Sequence, residues 1–369
     1  MNGFVGVMPN GNAASQLPGE TLHRVLKSYS TRIRPLRVEP LGNRAGFSGA
    51  QIWRVVTERG DFALRRWPNP GLSRERLLGL HRLLEHLRHE QLAFVAVPLS
   101  TDEGPTLLRA HSHDWQLEPW MPGLADFHAR PSRERLRATM TALAQWHLAA
   151  QRFVPVEPGA EWFASRSAAP SPAVRERLSR LQLIDPRTLS RVEQAIHQSA
   201  CEPFGSLSQQ VLDLFRRGQP IVTAELRLLQ DVAFRLHPCL RDVWHDHVLF
   251  VGDEVSGVID PSACRTEHVA ADLSRLIGSL VQDDRAAWDF ALAEYQRHRS
   301  LTAHELALVA VLDRSGVLLS GWTWLEWIYL ERRTFPDLTA VVQRLTEIVA
   351  RMERLIESGS PQGAAIVWP

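Results

Sequence analysis

The chain has 369 residues, of which 44% are hydrophobic and 22% charged, and this is enough for two lobes that each bury a core. A formal net charge of +1 produces no strong field, which argues against nucleic acid and against a membrane surface as partners. Three cysteines without CxxC spacing indicate neither a zinc site nor a disulfide framework, and a reducing cytoplasm is the simpler location. The sequence contains no run of about eighteen apolar residues, so it predicts no membrane span.

The amino-terminal part of the chain predicts a tail followed by a small antiparallel sheet. Residues 1–19 lack the basic and then apolar pattern of a signal peptide, and we expect a flexible tail there. Two β-rich runs, Ile52–Val56 and Phe62–Trp67, flank an Arg-Gly-Asp turn and predict a hairpin. The loop before them contains Gly46 and Gly49, and such a loop can lie close to phosphates because it carries few bulky side chains. A plain hairpin loop is the alternative.

A strong helix pattern follows the first hairpin. It covers Ser73–Arg88, with Ser73 as the N-cap and with leucines at helical spacing, namely Leu77, Leu80, Leu84 and Leu87. Three further β-rich runs complete a five-stranded sheet, and they are Phe94–Leu99, Thr106–Ala110 and Trp115–Trp120.

The rest of the chain is mainly helical in pattern. A second long helix is predicted over Ser132–Phe153, and a Pro- and Ala-rich connector follows it. The predicted helices after residue 272 are Asp284–Arg299, Ala303–Leu318, Gly321–Arg333 and Leu338–Ile356. A cluster of Trp322, Trp324 and Trp327 could cage a cationic ligand. A core stripe between two helices is the favoured interpretation, because tryptophans at this spacing pack together routinely.

The stretch that is most suggestive of chemistry is a short hairpin with an acid at each outer end. The runs Val248–Val251 and Val255–Ile259 are separated by Gly-Asp-Glu, which predicts an antiparallel pair. Asp242 precedes the first strand and Asp260 follows the second, so the pairing brings both carboxylates near each other. One acid could orient a nucleophilic hydroxyl while the other holds a metal on a phosphate. The alternative is that both are ordinary turn and cap residues.

The segment Leu240–Phe250 resembles the catalytic loop of the aminoglycoside phosphotransferase and choline kinase superfamily. That family shows His-Gly-Asp, four variable residues, then Asn and an apolar strand. The apolar pair before Asp260 and the Asp-Leu-Ser sequence that begins at Asp272 resemble its next two motifs. The resemblance implies that Asp242 is the catalytic acid, Asp260 a metal ligand and Asp272 a structural anchor.

Two positions depart from the family pattern. Leu240 stands where the family has His, and His247 stands where it has the metal-binding Asn. In the family that His mostly braces the backbone, so Leu240 implies a change in the loop rather than in the chemistry. An imidazole is a softer ligand than an amide oxygen, so His247 suits Mg²⁺ less well. The number and identity of the metal ions are left open.

The resemblance also implies a phosphate-binding cation. The strand Phe62–Arg65 is similar to the kinase sequence Val-Ala-Ile-Lys, with Arg65 at the lysine position. Its forked guanidinium could hold oxygens of the α- and β-phosphates. Lys27 is the only lysine, so such a cation in the core has to be an arginine. The alternative places Arg65 and Arg66 at the solvated end of an edge strand.

Two glutamates are implied as further residues of the nucleotide site. The helix after the first hairpin corresponds to the kinase helix that offers Glu to the phosphate-binding cation. Glu75 and Glu85 are the candidates, and we select Glu85, although pairing with surface arginines would also explain it. The segment Trp115–Gly123 resembles the hinge of the family, in which backbone groups near Glu118 would meet the adenine edge.

Taken as a whole, the resemblance implies a bilobal protein-kinase-like α+β fold. A small antiparallel-sheet N-lobe is expected over residues 20–121, and a larger, mainly helical C-lobe over residues 122–369. The implied function is an ATP-dependent phosphotransferase that acts on a hydroxyl of a small molecule and uses Mg²⁺ or another divalent cation. We expect it in the cytoplasm, with no nucleic-acid or membrane partner. The sequence identifies neither the acceptor nor the oligomeric state.

Two other functions remain open from the sequence. A kinase-like nucleotide or ligand binding protein without turnover is favoured by Leu240 and His247. The presence of both Asp242 and Asp260 disfavours it. Alternatively, His245–His247 could form part of a metallohydrolase centre. Three adjacent positions rarely converge on one ion, and in an extended segment the two histidines would face away from the aspartate between them.

Overall fold

The computed structural model of the protein describes residues 19–41, 50–198, 204–335 and 337–358. Residues 1–18 of the predicted tail and the loop that contains Gly46 and Gly49 lie outside the described residues. The chain divides into two compact units. The first unit is formed by Met1–Ser165, His237–Thr266 and Arg297–Arg299. The second unit is formed by Arg166–Leu236, Glu267–Gln296 and Ser300–Pro369. The lobe boundary at residue 122 stays a prediction.

The described residues form short strands and mostly longer helices. The described strands are β1 (Pro35–Pro40), β2 (Gln51–Thr57), β3 (Gly60–Arg66), β4 (Leu108–Ala110), β5 (His113–Pro119), β6 (Arg166–Pro170), β7 (Ala233–Cys239), β8 (Val248–Val251), β9 (Glu254–Val258) and β10 (Arg265–Glu267). The described helices are α1 (Gly19–Lys27), α2 (Arg74–His89), α3 (Arg133–Gln151), α4 (Ala160–Phe163), α5 (Pro172–Leu183), α6 (Pro186–Gln198), α7 (Gly205–Leu229), α8 (Ala270–Val281), α9 (Arg285–Gln296), α10 (Ala303–Leu325) and α11 (Leu338–Ser358). Short 3₁₀ turns occupy His245–His247 and Pro261–Ala263, and a π-helical turn continues α10 over Glu326–Leu330.

The first unit is built on an antiparallel five-stranded sheet with the order β1-β2-β3-β5-β4. The predicted hairpin of β2 and β3 is confirmed, with Gln51 opposite Arg66 at its open end. Aromatic and aliphatic side chains fill one face of the sheet, and Trp53 stacks on Trp115 with ring centroids 5.6 Å apart. Burial of such large apolar surfaces stabilises the sheet.

The predicted strand Phe94–Leu99 is wrong, and β1 takes the fifth place in the sheet. Within that segment Val95 forms an isolated parallel bridge to Val258. Pro98 has no N–H to donate, so the segment cannot form a continuous ladder. The segment therefore lies beside the β8–β9 hairpin without being a strand.

Hydroxyl side chains cap the two long helices of the first unit, and the cap at Ser73 was predicted. The hydroxyl of Ser73 accepts from the amide of Arg76 at 3.3 Å, and that of Ser132 accepts from the amide of Arg135 at 3.1 Å. The predicted helices are confirmed as α2 and α3. The buried face of α2 carries the expected leucines, which are Leu77, Leu80, Leu84 and Leu87, together with Leu83.

In the second unit, α10 packs against α7, α8 and α11. The predicted break between Ala303–Leu318 and Gly321–Arg333 is wrong, because α10 runs unbroken through Gly321. A side chain at Gly321 would lie 2.6 Å from the sulfur of Met352. The glycine therefore allows a close approach of α11 rather than ending the helix.

Among the described residues, one helical segment is apolar and long enough to cross a membrane by length and composition, namely Ala303–Leu330. Within the apolar 18-residue window of this segment, 56% is buried inside the structure. The core helix of a globular protein passes the same test, so the segment is weak evidence for a membrane span.

The tryptophan cluster divides into a core residue and a half-buried group. Trp322 is fully buried and packs on Phe215, with ring centroids 5.0 Å apart, as the core interpretation predicted. Trp324 and Trp327 pack edge to face at 5.2 Å. The guanidinium carbon of Arg333 lies 4.4 Å from the ring centroid of Trp327, so the cation over this ring is the protein's own.

Candidate active site

The predicted β-hairpin is present at the acidic segment, whereas the proximity of Asp242 and Asp260 stays a prediction. β8 and β9 pair antiparallel, and the amide of Ile259 donates to the carbonyl of His247 at 2.9 Å. Asp260 therefore follows directly on the strand end that lies beside His247. Asp242 lies exposed in the bend before the 3₁₀ turn that leads into β8. The hairpin is confirmed, while the catalytic role of Asp242 stays a prediction.

The backbone at both acids is in the left-handed region. Arg241, immediately before Asp242, has a φ of +65°, and Asp260 itself has a φ of +53°. A residue with a side chain costs about 1–3 kcal/mol in such a conformation, and these outliers cluster at functional sites. The family pattern described above has glycine at the position of Arg241. The loop therefore keeps a glycine-like conformation without the glycine, which is a third departure from the family pattern.

Arg65 lies in the interior of the sheet, and its guanidinium faces two carboxylates. The residue is 5% exposed, and β3 is flanked by β2 and β5, so the edge-strand alternative is wrong. Its Nη1 donates to Oδ1 of Asp260 at 2.9 Å, and its Nη2 lies 3.8 Å from Oε1 of Glu118. The guanidinium carbon lies 5.1 Å from the ring centroid of Trp67.

One donor of this guanidinium has no counterpart in the described part of the protein. Nε of Arg65 is buried and has no hydrogen-bond partner among the described residues. A buried donor that is left unsatisfied costs about 1–3 kcal/mol. Nε and a neighbouring Nη together form the bidentate edge with which arginine holds phosphate or carboxylate oxygens. The residue therefore fits a phosphate ligand.

The charges around Arg65 shift one another's pKa values. Burial lowers the pKa of Arg65, but Asp260 and Glu118 outweigh burial and raise it overall. Burial acts to raise the pKa of Asp260, while the positive charge of Arg65 and the neighbouring His247 hold it below its ordinary value. For Glu118, burial prevails over Arg65 and raises the pKa. Asp260 is therefore the carboxylate that is most firmly ionised at neutral pH.

A line of hydrogen bonds joins Glu118 to helix α2. Nε2 of Gln116 donates to Oε2 of Glu118 at 2.7 Å, and Oε1 of Gln116 accepts from Nε1 of Trp67 at 2.9 Å. The same Oε1 lies 3.0 Å from Nε2 of His81. An indole N–H only donates, so the amide orientation is fixed and His81 has to donate from Nε2. Nδ1 of His81 then accepts from the hydroxyl of Thr106 at 2.8 Å.

The acidic partners of Arg65 do not come from α2, and the prediction of Glu85 as its partner is corrected. Glu75 and Glu85 are exposed on α2. The carboxylates at the guanidinium belong to Glu118 on β5 and to Asp260. The buried face of α2 carries leucines and a histidine, so its glutamates point into solvent. The contact of the Glu118 backbone with adenine stays a prediction.

His247, which was predicted as a metal ligand, accepts a hydrogen bond from a tryptophan. Nε1 of Trp244 donates to Nε2 of His247 at 2.8 Å. A neutral imidazole has one nitrogen lone pair to offer, and here Trp244 uses it. A metal at His247 would have to displace this bond. The carboxylate of Asp260, a hard oxygen donor, fits Mg²⁺ better, and the metal role of His247 stays a prediction.

The segment proposed for a metallohydrolase centre is not extended. His245–His247 form a 3₁₀ turn, so the expected alternation of side chains does not apply. The rings of His245 and His247 both pack edge to face on Trp244, with centroids 4.7 Å and 5.5 Å away. His245 also packs on His128 at 4.3 Å. These contacts show aromatic packing in place of a converging ligand set.

Three residues of the site were missed from the sequence, namely His81, Gln116 and Trp244. His81 had a visible signal, because it lies in the leucine register of α2 and is therefore a polar residue on an apolar face. Gln116 is a buried polar residue between the apolar side chains of Trp115 and Leu117 in β5. The role of Trp244 had no local signal, since it depends on the turn that follows it.

Comparison with known proteins identifies the family of this chain. The sequence model of the phosphotransferase enzyme family matches residues 41–308, which include Arg65, Asp242 and Asp260. The protein belongs to the phosphotransferase enzyme family, and it is a kinase of the class that acts on small-molecule hydroxyl groups. No curated protein matches the sequence.

Solved structures of small-molecule kinases share the fold. A spectinomycin phosphotransferase in complex with ADP and spectinomycin is 13% identical with a TM-score of 0.66, and the match covers 91% of this chain and 98% of that one. A microcompartment-associated aminopropanol kinase is 15% identical with a TM-score of 0.64, covering 94% and 100%. An amicoumacin kinase in complex with AMP-PNP and Ca²⁺ is 14% identical with a TM-score of 0.62, covering 93% and 94%. These matches confirm the predicted bilobal protein-kinase-like α+β fold.

Proposed function

We propose that this protein transfers the γ-phosphoryl group of ATP to a hydroxyl of a small molecule. The observation that carries the proposal is the buried Arg65, which is bonded to Asp260 and retains a buried Nε without a partner among the described residues. Enzymatic phosphoryl transfer depends mainly on positioning and on neutralising charge. A buried cation beside an ionised carboxylate supports both tasks.

The phosphates of ATP are assigned to Arg65 in this proposal. Nε and one Nη of Arg65 hold phosphate oxygens, while Glu118 and Gln116 keep the guanidinium in one orientation. The backbone near Glu118 is proposed to receive the adenine. The complexes of related folds with ADP and with AMP-PNP support a nucleotide ligand.

The acceptor is assigned to Asp242 and the metal to Asp260. Asp242 is exposed, and we propose that its carboxylate orients the acceptor hydroxyl and takes its proton. A single carboxylate is sufficient, because a loose transition state requires little base strength. Asp260 offers ionised oxygens to Mg²⁺ or another divalent cation. When bound, such an ion neutralises charge on the transferring phosphate.

The proposed acceptor is a hydroxylated small molecule whose identity is not assigned. The related folds are named for spectinomycin, aminopropanol and amicoumacin, and these acceptors differ from one another. The net charge of +1 supports a protein without a nucleic-acid or membrane partner, and the three cysteines without CxxC spacing support a reducing cytoplasm.

A second candidate function is a nucleotide or ligand binding protein without turnover. The bond from Trp244 to His247 favours it, because this bond engages the imidazole that replaces the metal-binding Asn of the family. Leu240 in place of the family His also favours it. In this case the protein would bind nucleotide and release no ADP with any acceptor.

Release of ADP during incubation with ATP, Mg²⁺ and a panel of hydroxylated compounds tests the two candidates. We expect acceptor-dependent ADP release, reduced at least about a hundredfold in Asp242→Asn. Asp246→Asn removes the same charge from the same exposed loop and is expected to keep the activity. Stabilisation by AMP-PNP without ADP release under any acceptor would favour the second candidate. Loss of activity in Asp246→Asn alone would favour the metallohydrolase alternative.

A further inference from the structure

Three arginines come from separate elements of the first unit beside the candidate site, and two of them act electrostatically on the third. Arg76 is on α2, Arg241 is in the loop after β7, and Arg265 begins β10. Nη2 of Arg76 donates to the carbonyl of Ser262 at 3.2 Å, in the turn that leads directly into β10. β10 and β7 are neighbours in one sheet, and β7 leads directly into the loop that carries Arg241.

The guanidinium of Arg76 has an unused donor. Its Nε is buried and has no hydrogen-bond partner among the described residues. Its guanidinium carbon lies 5.1 Å from the ring centroid of Trp162, which covers one face of the group. The ring fixes the plane of the guanidinium, so the edge that carries Nε has a defined direction.

The strongest charge that acts on Arg76 is positive. Burial lowers the pKa of Arg76, and the charges of Arg265 and Arg241 lower it further, against an opposing effect of the Cys264 thiol. An anion placed among like positive charges attracts each of them. Such an anion would also accept a hydrogen bond from the buried Nε of Arg76.

This arginine cluster adjoins the proposed catalytic acid, Asp242, and the proposed metal ligand, Asp260. Ser262, whose carbonyl accepts from Arg76, also bonds through its side chain to Asp260 and helps to lower the pKa of that carboxyl. Arg241 is the residue immediately before Asp242. A group held by the cluster would therefore lie close to the acceptor end of the candidate site.

We propose that Arg76, Arg241 and Arg265 form a binding site for an oxyanion, either a phosphate or a carboxylate group. Guanidinium groups bind both through paired N–H donors. The oxyanion either belongs to the acceptor molecule or is a free ion. The first source rests on the proposed phosphotransferase function, whereas the binding site itself does not.

Thermal unfolding of the full-length protein measures binding without any turnover. Sodium phosphate is compared with sodium chloride at the same ionic strength and pH. We expect phosphate to raise the Tm of the wild type, and we expect Arg76→Ala and Arg265→Ala to weaken phosphate binding by about tenfold to a hundredfold. Arg59→Ala removes the same charge from an exposed turn and should respond like the wild type. A rise in Tm that is equal in all variants, or no rise beyond chloride, would overturn the proposal.

A second variant guards against loss of folding. Arg241→Gly removes a guanidinium and suits the observed φ of +65°, so it should fold at least as well as the wild type. We expect it to lose the response to phosphate while it keeps a cooperative unfolding transition. A full phosphate response in this folded variant would show that Arg241 is not part of the site.

The source of the oxyanion is tested with glycerol 3-phosphate and glycerol, each with AMP-PNP and Mg²⁺. A larger rise in Tm with glycerol 3-phosphate than with inorganic phosphate supports an anion carried by the acceptor. Equal rises support a free ion, and both results support the site. Stabilisation by AMP-PNP without any effect of phosphate would overturn the oxyanion site alone. Stabilisation by phosphate without any effect of AMP-PNP would count against the proposed phosphotransferase function alone.

Discussion

Nη1 of Arg65 lies 2.9 Å from Oδ1 of Asp260, so the proposed phosphate-binding cation and the proposed metal ligand neutralise each other within the protein. The side chain of Arg65 is 6% exposed and that of Asp260 is 24% exposed. Each group is thus held in place before a ligand arrives, which lowers the cost of ordering the site. Binding of nucleotide with a metal would replace the Arg65–Asp260 ion pair by two other interactions. Arg65 would then pair with phosphate, and Asp260 would pair with the metal.

Removal of the Arg65 charge is expected to destabilise the protein and to abolish nucleotide binding. Arg65→Met leaves Glu118 and Asp260 without their cation in a largely buried place, which costs about 3 kcal/mol. Urea unfolding measures this loss, and the rise in Tm with AMP-PNP measures binding. Arg66→Met changes the next residue of the same strand and is expected to cost less than about 1 kcal/mol and to keep AMP-PNP binding. Equal losses in both variants would contradict the role assigned to Arg65.

The acidic partners of Arg65 could not be predicted from the sequence, whereas the local elements could. Local pattern was enough for α2 and for the β8–β9 hairpin, because capping, turn chemistry and apolar periodicity lie within a few residues of each other. Glu118 reaches Arg65 because β3 and β5 are neighbours, with Arg65 opposite Gln116. That pairing joins distant parts of the chain, so helix α2 was the natural but wrong source of the acid. The bond from Trp244 to His247 depends on a single turn and was equally hidden.

The tryptophan at the candidate metal site is expected to oppose metal binding. Trp244→Phe removes the indole N–H that Nε2 of His247 accepts, and leaves that lone pair available to an ion. We expect the concentration of Mn²⁺ that gives half of the maximal rise in Tm, in the presence of AMP-PNP, to fall by about threefold to tenfold. Trp324→Phe makes the same change at a half-buried position of the second unit. An unchanged Mn²⁺ requirement in Trp244→Phe, or the same change in both variants, would show that His247 does not ligate the ion.

Acid is expected to destabilise the protein through His81. Burial lowers the pKa of His81 to about 4, against the opposing effect of its hydrogen bond to Gln116, whereas an unfolded histidine titrates near about 6.5. Between these values the unfolded chain binds a proton that the folded chain does not, so stability falls as pH decreases through this window. The full effect is about 3 kcal/mol and is complete below a pH of about 4.

The pH dependence of urea unfolding for the wild type and for His81→Gln checks this assignment. The variant cannot titrate at this position, so the difference in unfolding free energy between the two proteins should change by about 3 kcal/mol from neutral pH to a pH of about 4. His89→Gln removes an exposed histidine at the end of the same helix and should leave the pH profile of the wild type nearly unchanged. Parallel profiles for wild type and His81→Gln would contradict a buried neutral His81.

Replacement of Arg241 by glycine is expected to stabilise the protein in a phosphate-free buffer. Glycine adopts the observed φ of +65° without steric cost, and the change removes a positive charge that acts on Arg76. The gain from relief of strain is partly offset by the greater entropy of glycine in the unfolded chain, so we expect a net gain of about 0.5–1 kcal/mol. Urea unfolding measures this gain.

The matched control for Arg241→Gly is Arg332→Gly. Arg332 is also an arginine in the left-handed region, with a φ of +52°, but it is exposed in the second unit and lies outside the arginine cluster. Both changes relieve similar backbone strain, so a larger gain at Arg241 measures the relief of charge repulsion. In sodium phosphate the order should reverse, because an oxyanion stabilises the wild type and Arg332→Gly but not Arg241→Gly. If Arg241→Gly is no more stable than Arg332→Gly without phosphate, repulsion within the cluster is too weak to require an anion.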